Sequence, residues 1–154
     1  MKAKTYKSYS KAFELEIKER NEQFHKAKVT TSTDVYNYVR KFYFDDIEIY
    51  ESFFILMLNN QQNTIGWAKI GQGGLNMATV DVRLIAKFAV ECLAVSVICC
   101  HNHPSGNILP SQNDIDLTRR IKAGLETLNI KLLDHIILSP EAEKFYSFAD
   151  EGQI

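Results

Sequence analysis

The sequence is short of the features that assign a protein to a class at once. It has almost no net charge: 18 lysines and arginines stand against 19 aspartates and glutamates, a formal −1. A whole-chain electrostatic grip on nucleic acid is therefore not expected, and only a local basic patch would serve that purpose. Cysteine is scarce, with Cys92, Cys99 and Cys100 an odd number of which two are adjacent. No disulfide framework follows from them, and a reducing cytoplasm is the expected compartment. No apolar run approaches the ~20 residues of a membrane span. Residues Met1 to Arg20 are studded with lysine and glutamate and lack the apolar centre of a signal peptide. Internal repeats and low-complexity segments are missing too.

What remains is an ordinary globular composition. The 154 residues are 45% hydrophobic and 24% charged, enough for one domain that buries roughly two-thirds of its unfolded surface. Phe13, Leu15 and Ile17 alternate with Glu14 and Glu16, the pattern of a half-buried strand. The Thr30–Asp34 cluster supplies N-cap residues for a short helix over 34–43. Residues 51–58 (ESFFILML) form a dense apolar run, a buried central strand, with 59–63 as turn and 64–70 as hairpin partner. Gly71, Gly73 and Gly74 then mark a loop.

An amphipathic helix is expected over 81–93 and a second buried strand over 95–100, running into the turn-rich loop His101-Asn-His-Pro-Ser-Gly106. Ser111 opens a helix of about 16 residues, and 130–138 reads as a late strand. Strands alternating with helices predict an α/β or α+β domain.

The informative stretch is His101-x-His103, then Ser111 and Asp114. Two histidines one residue apart at a strand end can turn both imidazoles toward one point. Imidazole nitrogen and carboxylate oxygen are zinc donors, and three protein ligands leave a fourth position open, as in catalytic rather than structural sites. Zinc lowers the pKa of bound water to about 7. Such a site needs a base for the water proton and a donor for a developing oxyanion. Ser111 is the candidate donor. Glu48 and Glu51 stand just before the apolar strand; Glu51 adjoins it and is the preferred base. A simpler reading also holds, since Ser111-x-x-Asp114 is a capping-box helix start. The two roles use different atoms and are compatible.

With these residues, the sequence resembles the RadC family, the bacterial branch of the JAB/MPN superfamily, whose motif is His-x-His, seven residues, Ser, two residues, Asp. Similarity extends to Gly73-Gly-Leu-Asn76, Thr79-Val80 and Arg83, to Leu133-Asp-His-Ile-Ile137 and to Ser147–Gly152. The resemblance implies an α/β three-layer JAB/MPN sandwich, cytidine-deaminase-like, with a central mixed sheet between helices. It also implies a domain over 32–154 after an N-terminal strand and extension over 1–31. By the same likeness, His101, His103 and Asp114 hold one zinc ion, and Glu51 acts as base in cleaving an amide or isopeptide bond. The implied partner is a protein or peptide substrate, with no membrane.

Family members are customarily labelled DNA repair proteins, so the alternative is a repair- or recombination-associated factor, with Lys/Arg groups at 2–11 and 119–122 as its contacts. Full-length members carry a helix-hairpin-helix-like region suited to DNA, which this sequence does not show. Val82 stands where the family often has proline. A nucleobase deaminase would need His-x-Glu and Pro-Cys-x-x-Cys; position 103 is histidine and Cys99-Cys100 has the wrong spacing. Strand alternation sends Cys99 and Cys100 to opposite faces as core residues. Asp134-His135 has two readings, a catalytic dyad or, as is commoner for such a pair, the beginning of a strand that satisfies local hydrogen bonds; Arg83 and Asn102 read as residues shaping the pocket.

Overall fold

The structure, a computed structural model, describes residues 25–43, 45–73 and 80–154. The expected strand over 12–17, the basic group at 2–11 and the family-like segment from Gly74 to Thr79 lie outside them. Five strands form one sheet: β1 (Ser52–Leu58), β2 (Thr64–Gln72), β3 (Ser96–Asn102), β4 (Lys131–Leu138) and β5 (Phe145–Ser147), in the order β2-β1-β3-β4-β5. The β3–β4 pair is parallel and all the other pairs are antiparallel. Helix α1 (Ser32–Val39) covers one face, and α2 (Val82–Glu91) and α3 (Gln112–Glu126) cover the other. This is the α/β three-layer arrangement with a mixed central sheet.

The two faces follow from alternation along the central strands. Every residue of β1 is buried. Phe54, Leu56 and Leu58 join Val35, Tyr36 and Val39 of α1, whereas Phe53, Ile55 and Met57 pack with Ile85, Ala89, Ile121 and Leu125. Cys100 falls in the first core and Cys99 in the second, so the adjacent cysteines do face opposite ways. Both are fully buried, and burial pushes both thiols up, while Cys92 is only partly covered. A thiol reagent applied to the native protein should therefore modify Cys92 first and leave the other two protected until unfolding. Rapid native modification of a second thiol would contradict this packing.

Several boundaries differ from the sequence expectation for identifiable reasons. Helix α1 starts at Ser32 because Thr31 is the N-cap, its Oγ accepting from the Asp34 amide at 3.1 Å while Asp34 Oδ2 accepts from the Thr31 amide at 3.0 Å. Past Val39 the helix tightens into a 3₁₀ turn, Arg40–Phe42. Strand β2 runs through Gly71 to Gln72, which pair with Phe53 and Ser52, so the first of the three loop glycines is a strand residue. Helix α2 ends at Glu91, and Leu93 lies beyond it at φ 53°, 83% exposed. Strand β3 continues through His101 and Asn102, which pair with β4 at Ile137 and Leu138. His101 is thus a sheet residue and not a loop residue. The tail adds a fifth strand, with Phe145 stacked on Tyr36 at 4.8 Å.

Candidate metal centre

The N-terminus of α3 sets the geometry. Its buried residues are Asp114, Thr118, Ile121 and Leu125, one stripe at helical spacing. The sequence pattern puts Ile115 and Leu128 on that stripe. Instead Ile115 is half-buried, Leu128 is exposed, and the carboxylate of Asp114 occupies the first position, facing the ends of β3 and β4. The capping box is complete. Ser111 Oγ accepts from the Asp114 amide at 3.2 Å, and Asp114 Oδ2 accepts from the Ser111 amide at 2.7 Å and from the Ser111 hydroxyl at 2.6 Å. All of these bonds leave Oδ1 free, so the capping box does not occupy the oxygen that faces His101.

Asp114 meets both histidines. His101 Nε2 lies 3.3 Å from Asp114 Oδ1, His103 Nε2 lies 3.5 Å from Oδ2, and the two ring nitrogens are 3.0 Å apart. His101 and Asp114 are buried and His103 is half-buried. The second nitrogen of each ring is already engaged. His103 Nδ1 donates to the Asn107 carbonyl at 2.6 Å, and His101 Nδ1 lies 2.8 Å from His135 Nε2. With the His103 Nδ1 proton committed to a carbonyl, its Nε2 faces His101 Nε2, and either a proton or a cation between the two nitrogens satisfies both.

These residues fit a metal. A four-coordinate ion with bonds of about 2.1 Å holds its ligand atoms about 3.4 Å apart, and the candidate ligand atoms here lie within 4.8 Å of one another. Burial alone would raise the Asp114 carboxyl, but hydrogen bonding to His101 and His103 and the Ser111 contact hold it far below the ordinary range. It is a carboxylate, as a ligand must be.

Glu51 stands at the other side. Phe53 pairs with His101, the last pair of the antiparallel β1–β3 register, and Glu51 lies two residues before Phe53 as His103 lies two residues after His101. Glu51 is half-buried and close enough to act on His103, adding to the Asp114 contacts that, against burial, raise that ring's pKa. Glu48 lies in the 3₁₀ turn Asp45–Glu48 and is exposed. No ligand atom of Glu51 belongs to the His101–His103–Asp114 group.

Asn102 holds this segment. Fully buried, it accepts from the Ser52 amide at 2.8 Å and donates to the carbonyls of Ile47 at 2.7 Å and Tyr50 at 2.8 Å. Arg83, the other pocket-shaping candidate, pairs with Asp81 at 2.6 Å with its side chain 91% exposed. After His103 the chain turns through Pro104 and Ser105 to Gly106, whose amide donates to the His103 carbonyl at 2.9 Å and whose φ of +78° suits glycine.

Asp134 satisfies local hydrogen bonds as expected, taking the Ser147 hydroxyl at 2.7 Å and the Ala149 amide at 3.0 Å. Its neighbour does more. His135 sits behind His101, its ring stacked on Phe148 at 5.0 Å and edge-on to Phe53 at 5.4 Å. Nothing in a lone histidine mid-strand distinguishes that role from core packing. The only signal is its place two residues from the pairing partner of His101 on the neighbouring strand, and a sequence without a known register does not reveal pairing.

A histidine pair at the end of a sheet strand, closed by an aspartate at a helix start, is the arrangement that the resemblance to JAB domains leads one to expect. The sequence profile of the RadC-like JAB domain matches residues 29–153, and the chain belongs to that family. It is 40% identical over 142 residues to a protein of Flavobacterium johnsoniae named "UPF0758 protein", covering 92% of this chain and 60% of that one. It is 34% identical over 150 residues to a like-named protein of Shewanella baltica, covering 97% and 65%. A Porphyromonas gingivalis relative is 40% identical over 102 residues, 66% of this chain and 44% of that one. The chain thus spans about three fifths of the first of these relatives. Among the described residues no helix is long and apolar enough to cross a membrane.

Proposed function

We propose that the protein is a JAMM-type zinc-dependent hydrolase that cleaves a peptide or isopeptide bond. The observation that carries this reading is the convergence of His101 Nε2, His103 Nε2 and the Asp114 carboxylate beside a half-buried Glu51. Bound there, one zinc ion would polarise a carbonyl and lower the pKa of a water. Glu51 takes the proton of the attacking water and returns it to the departing amine. Its backbone is fixed on both sides: the Glu51 carbonyl accepts from the Gly73 amide at 2.8 Å, and the next amide is held by Asn102. Ser111 has two tasks. Its hydroxyl donates to Asp114 Oδ2, and it donates to a tetrahedral oxyanion only by rotating away from that carboxylate.

A protein or peptide substrate suits the rim. Ile49 and Tyr50 are 52% and 40% exposed immediately before Glu51, and Leu109 is 65% exposed two residues before Ser111. Exposed apolar side chains flanking both catalytic positions favour a polypeptide over a phosphate backbone. Arg119, within the basic group 119–122, pairs with Asp116 at 3.4 Å.

The test is hydrolysis by zinc-loaded protein of peptide, isopeptide-linked and DNA substrates. Amide cleavage that disappears on chelation and returns with zinc is expected. Cleavage of DNA alone, or amide cleavage indifferent to chelation, overturns the proposal.

A further inference from the structure

The hydrogen bonds behind His101 can be followed proton by proton. Thr118 Oγ1 lies 2.6 Å from the Asp114 backbone carbonyl and 2.6 Å from His135 Nδ1. A carbonyl oxygen only accepts, so the one hydroxyl proton of Thr118 goes to Asp114. Thr118 must then accept from His135, which places a proton on His135 Nδ1. His135 is fully buried among Phe53, Phe148, Thr118 and His101, with no carboxylate bonded to its ring among the described residues, so it is neutral and carries one ring proton. Its Nε2 is therefore a lone pair, and at 2.8 Å it accepts from His101 Nδ1. His101 Nε2 is the atom left over, and it is the one that faces His103 and Asp114.

We propose that Thr118 and His135 form a fixed relay that sets the tautomer and ring direction of His101, making them positioning residues of the metal centre and not ligands of it. The inference rests on the metal-site reading for its purpose, though not for its hydrogen bonds. Asp114 and Thr118 are four residues apart on the buried stripe of α3, so one helix turn carries both a ligand and the start of the relay. His135 pairs with Cys99 and Ile137 with His101 in the parallel β3–β4 register, which makes His135 the diagonal neighbour of His101 on the α3 face. The Phe53 ring, stacked parallel to His101 at 5.9 Å and edge-on to His135 at 5.4 Å, holds both rings. A ligand histidine usually passes its second proton to a carboxylate, carbonyl or water. Here a second histidine takes that place, and its own tautomer is set by a helix hydroxyl.

The experiment has two arms on the full chain. In the first, long-range ¹H–¹⁵N correlation spectra of the metal-free protein at pH 8 read the protonated nitrogen of His135. Wild type is expected to show Nδ1–H with a bare Nε2, and Thr118→Val, near-isosteric but unable to accept, is expected to lose that signature. In the second, competition with a chelator measures zinc affinity. Thr118→Val should weaken it about ten- to a hundredfold, and Thr118→Ser, which restores the hydroxyl, should return it to near the wild-type value. A melting curve for each variant reports on the fold.

A His135 protonated on Nε2 in wild type overturns the relay. So does a Thr118→Val protein that is folded, keeps the wild-type tautomer and binds zinc as wild type does. If wild type binds no zinc, the metal-site reading fails, and the spectra alone decide whether the relay exists.

Discussion

Glu51→Gln is expected to lower kcat/KM of the zinc-loaded protein by about 10²–10⁴-fold, the usual worth of a positioned general base, with zinc content unchanged. The substitution keeps the shape and hydrogen-bonding capacity of the side chain and removes only its ability to accept and carry a proton. Zinc is retained because the ligand group is His101, His103 and Asp114, with Glu51 outside it. Glu48→Gln is the internal control. Glu48 is exposed in the 3₁₀ turn, whereas Glu51 is half-buried and its charge acts on His103. Equal loss in both variants, or full activity in Glu51→Gln, would remove Glu51 from the mechanism. Loss of zinc in Glu51→Gln with activity surviving would show that the base lies elsewhere.

Asn102→Ala is the second large effect, and it is one of stability first. The side chain makes three hydrogen bonds to main-chain groups of residues 47, 50 and 52, at 2.7, 2.8 and 2.8 Å. Truncation leaves those groups without their partner in a region with little access to water. Each unsatisfied buried group costs roughly 1–3 kcal/mol, so a loss of about 3 kcal/mol is expected once water reaches the outermost carbonyl. Urea denaturation reads it as a lower midpoint at unchanged slope. Because the Ser52 amide is adjacent to Glu51, activity should fall more than zinc affinity under conditions where the variant is folded. A stability within about 0.5 kcal/mol of wild type, the range of neutral surface changes, would show that the segment before β1 is held by something other than Asn102.

Much of this architecture is legible in the sequence, and the reasons differ by element. β1 is readable because six consecutive apolar residues, Phe53 to Leu58, follow Ser52 and are all buried. The start of α3 is readable because Ser111 and Asp114 sit at capping-box spacing, and capping fixes where a helix begins. The extension of β3 through His101 and Asn102 is not, since histidine and asparagine carry no strand preference of their own. Their strand conformation is imposed by pairing with β4, and for His101 also with Phe53 of β1. Strand β5 is hidden for a similar reason: three residues, only the last fully buried, hold their place by pairing with β4.

The candidate site divides along the same line. His101, His103, Ser111 and Asp114 lie within one short stretch of sequence, so spacing alone reveals them. Glu51, Asn102, Thr118 and His135 meet them only through strand register and helix packing. The position of Glu51 before a strand points to it, and Asn102 draws notice by standing between the two histidines. Thr118 and His135 look like core residues until the register is known. The capping and metal readings of Asp114, alternatives in the sequence, coexist because Oδ2 serves the helix and Oδ1 faces His101.

Zinc binding by wild type and Asp114→Ala, measured by chelator competition, tests the central claim most directly. Structural zinc sites with four ligands bind with about 10–16 kcal/mol, or roughly 3 kcal/mol for each ligand, so losing one should weaken binding by on the order of a hundredfold or more. The metal-free fold should lose only about 1 kcal/mol, from the broken capping box at the start of α3. The account predicts one zinc per chain for wild type and none retained by Asp114→Ala at the same chelator concentration, with both proteins folded. Failure of wild type to bind zinc, or stoichiometric zinc in folded Asp114→Ala, would contradict it.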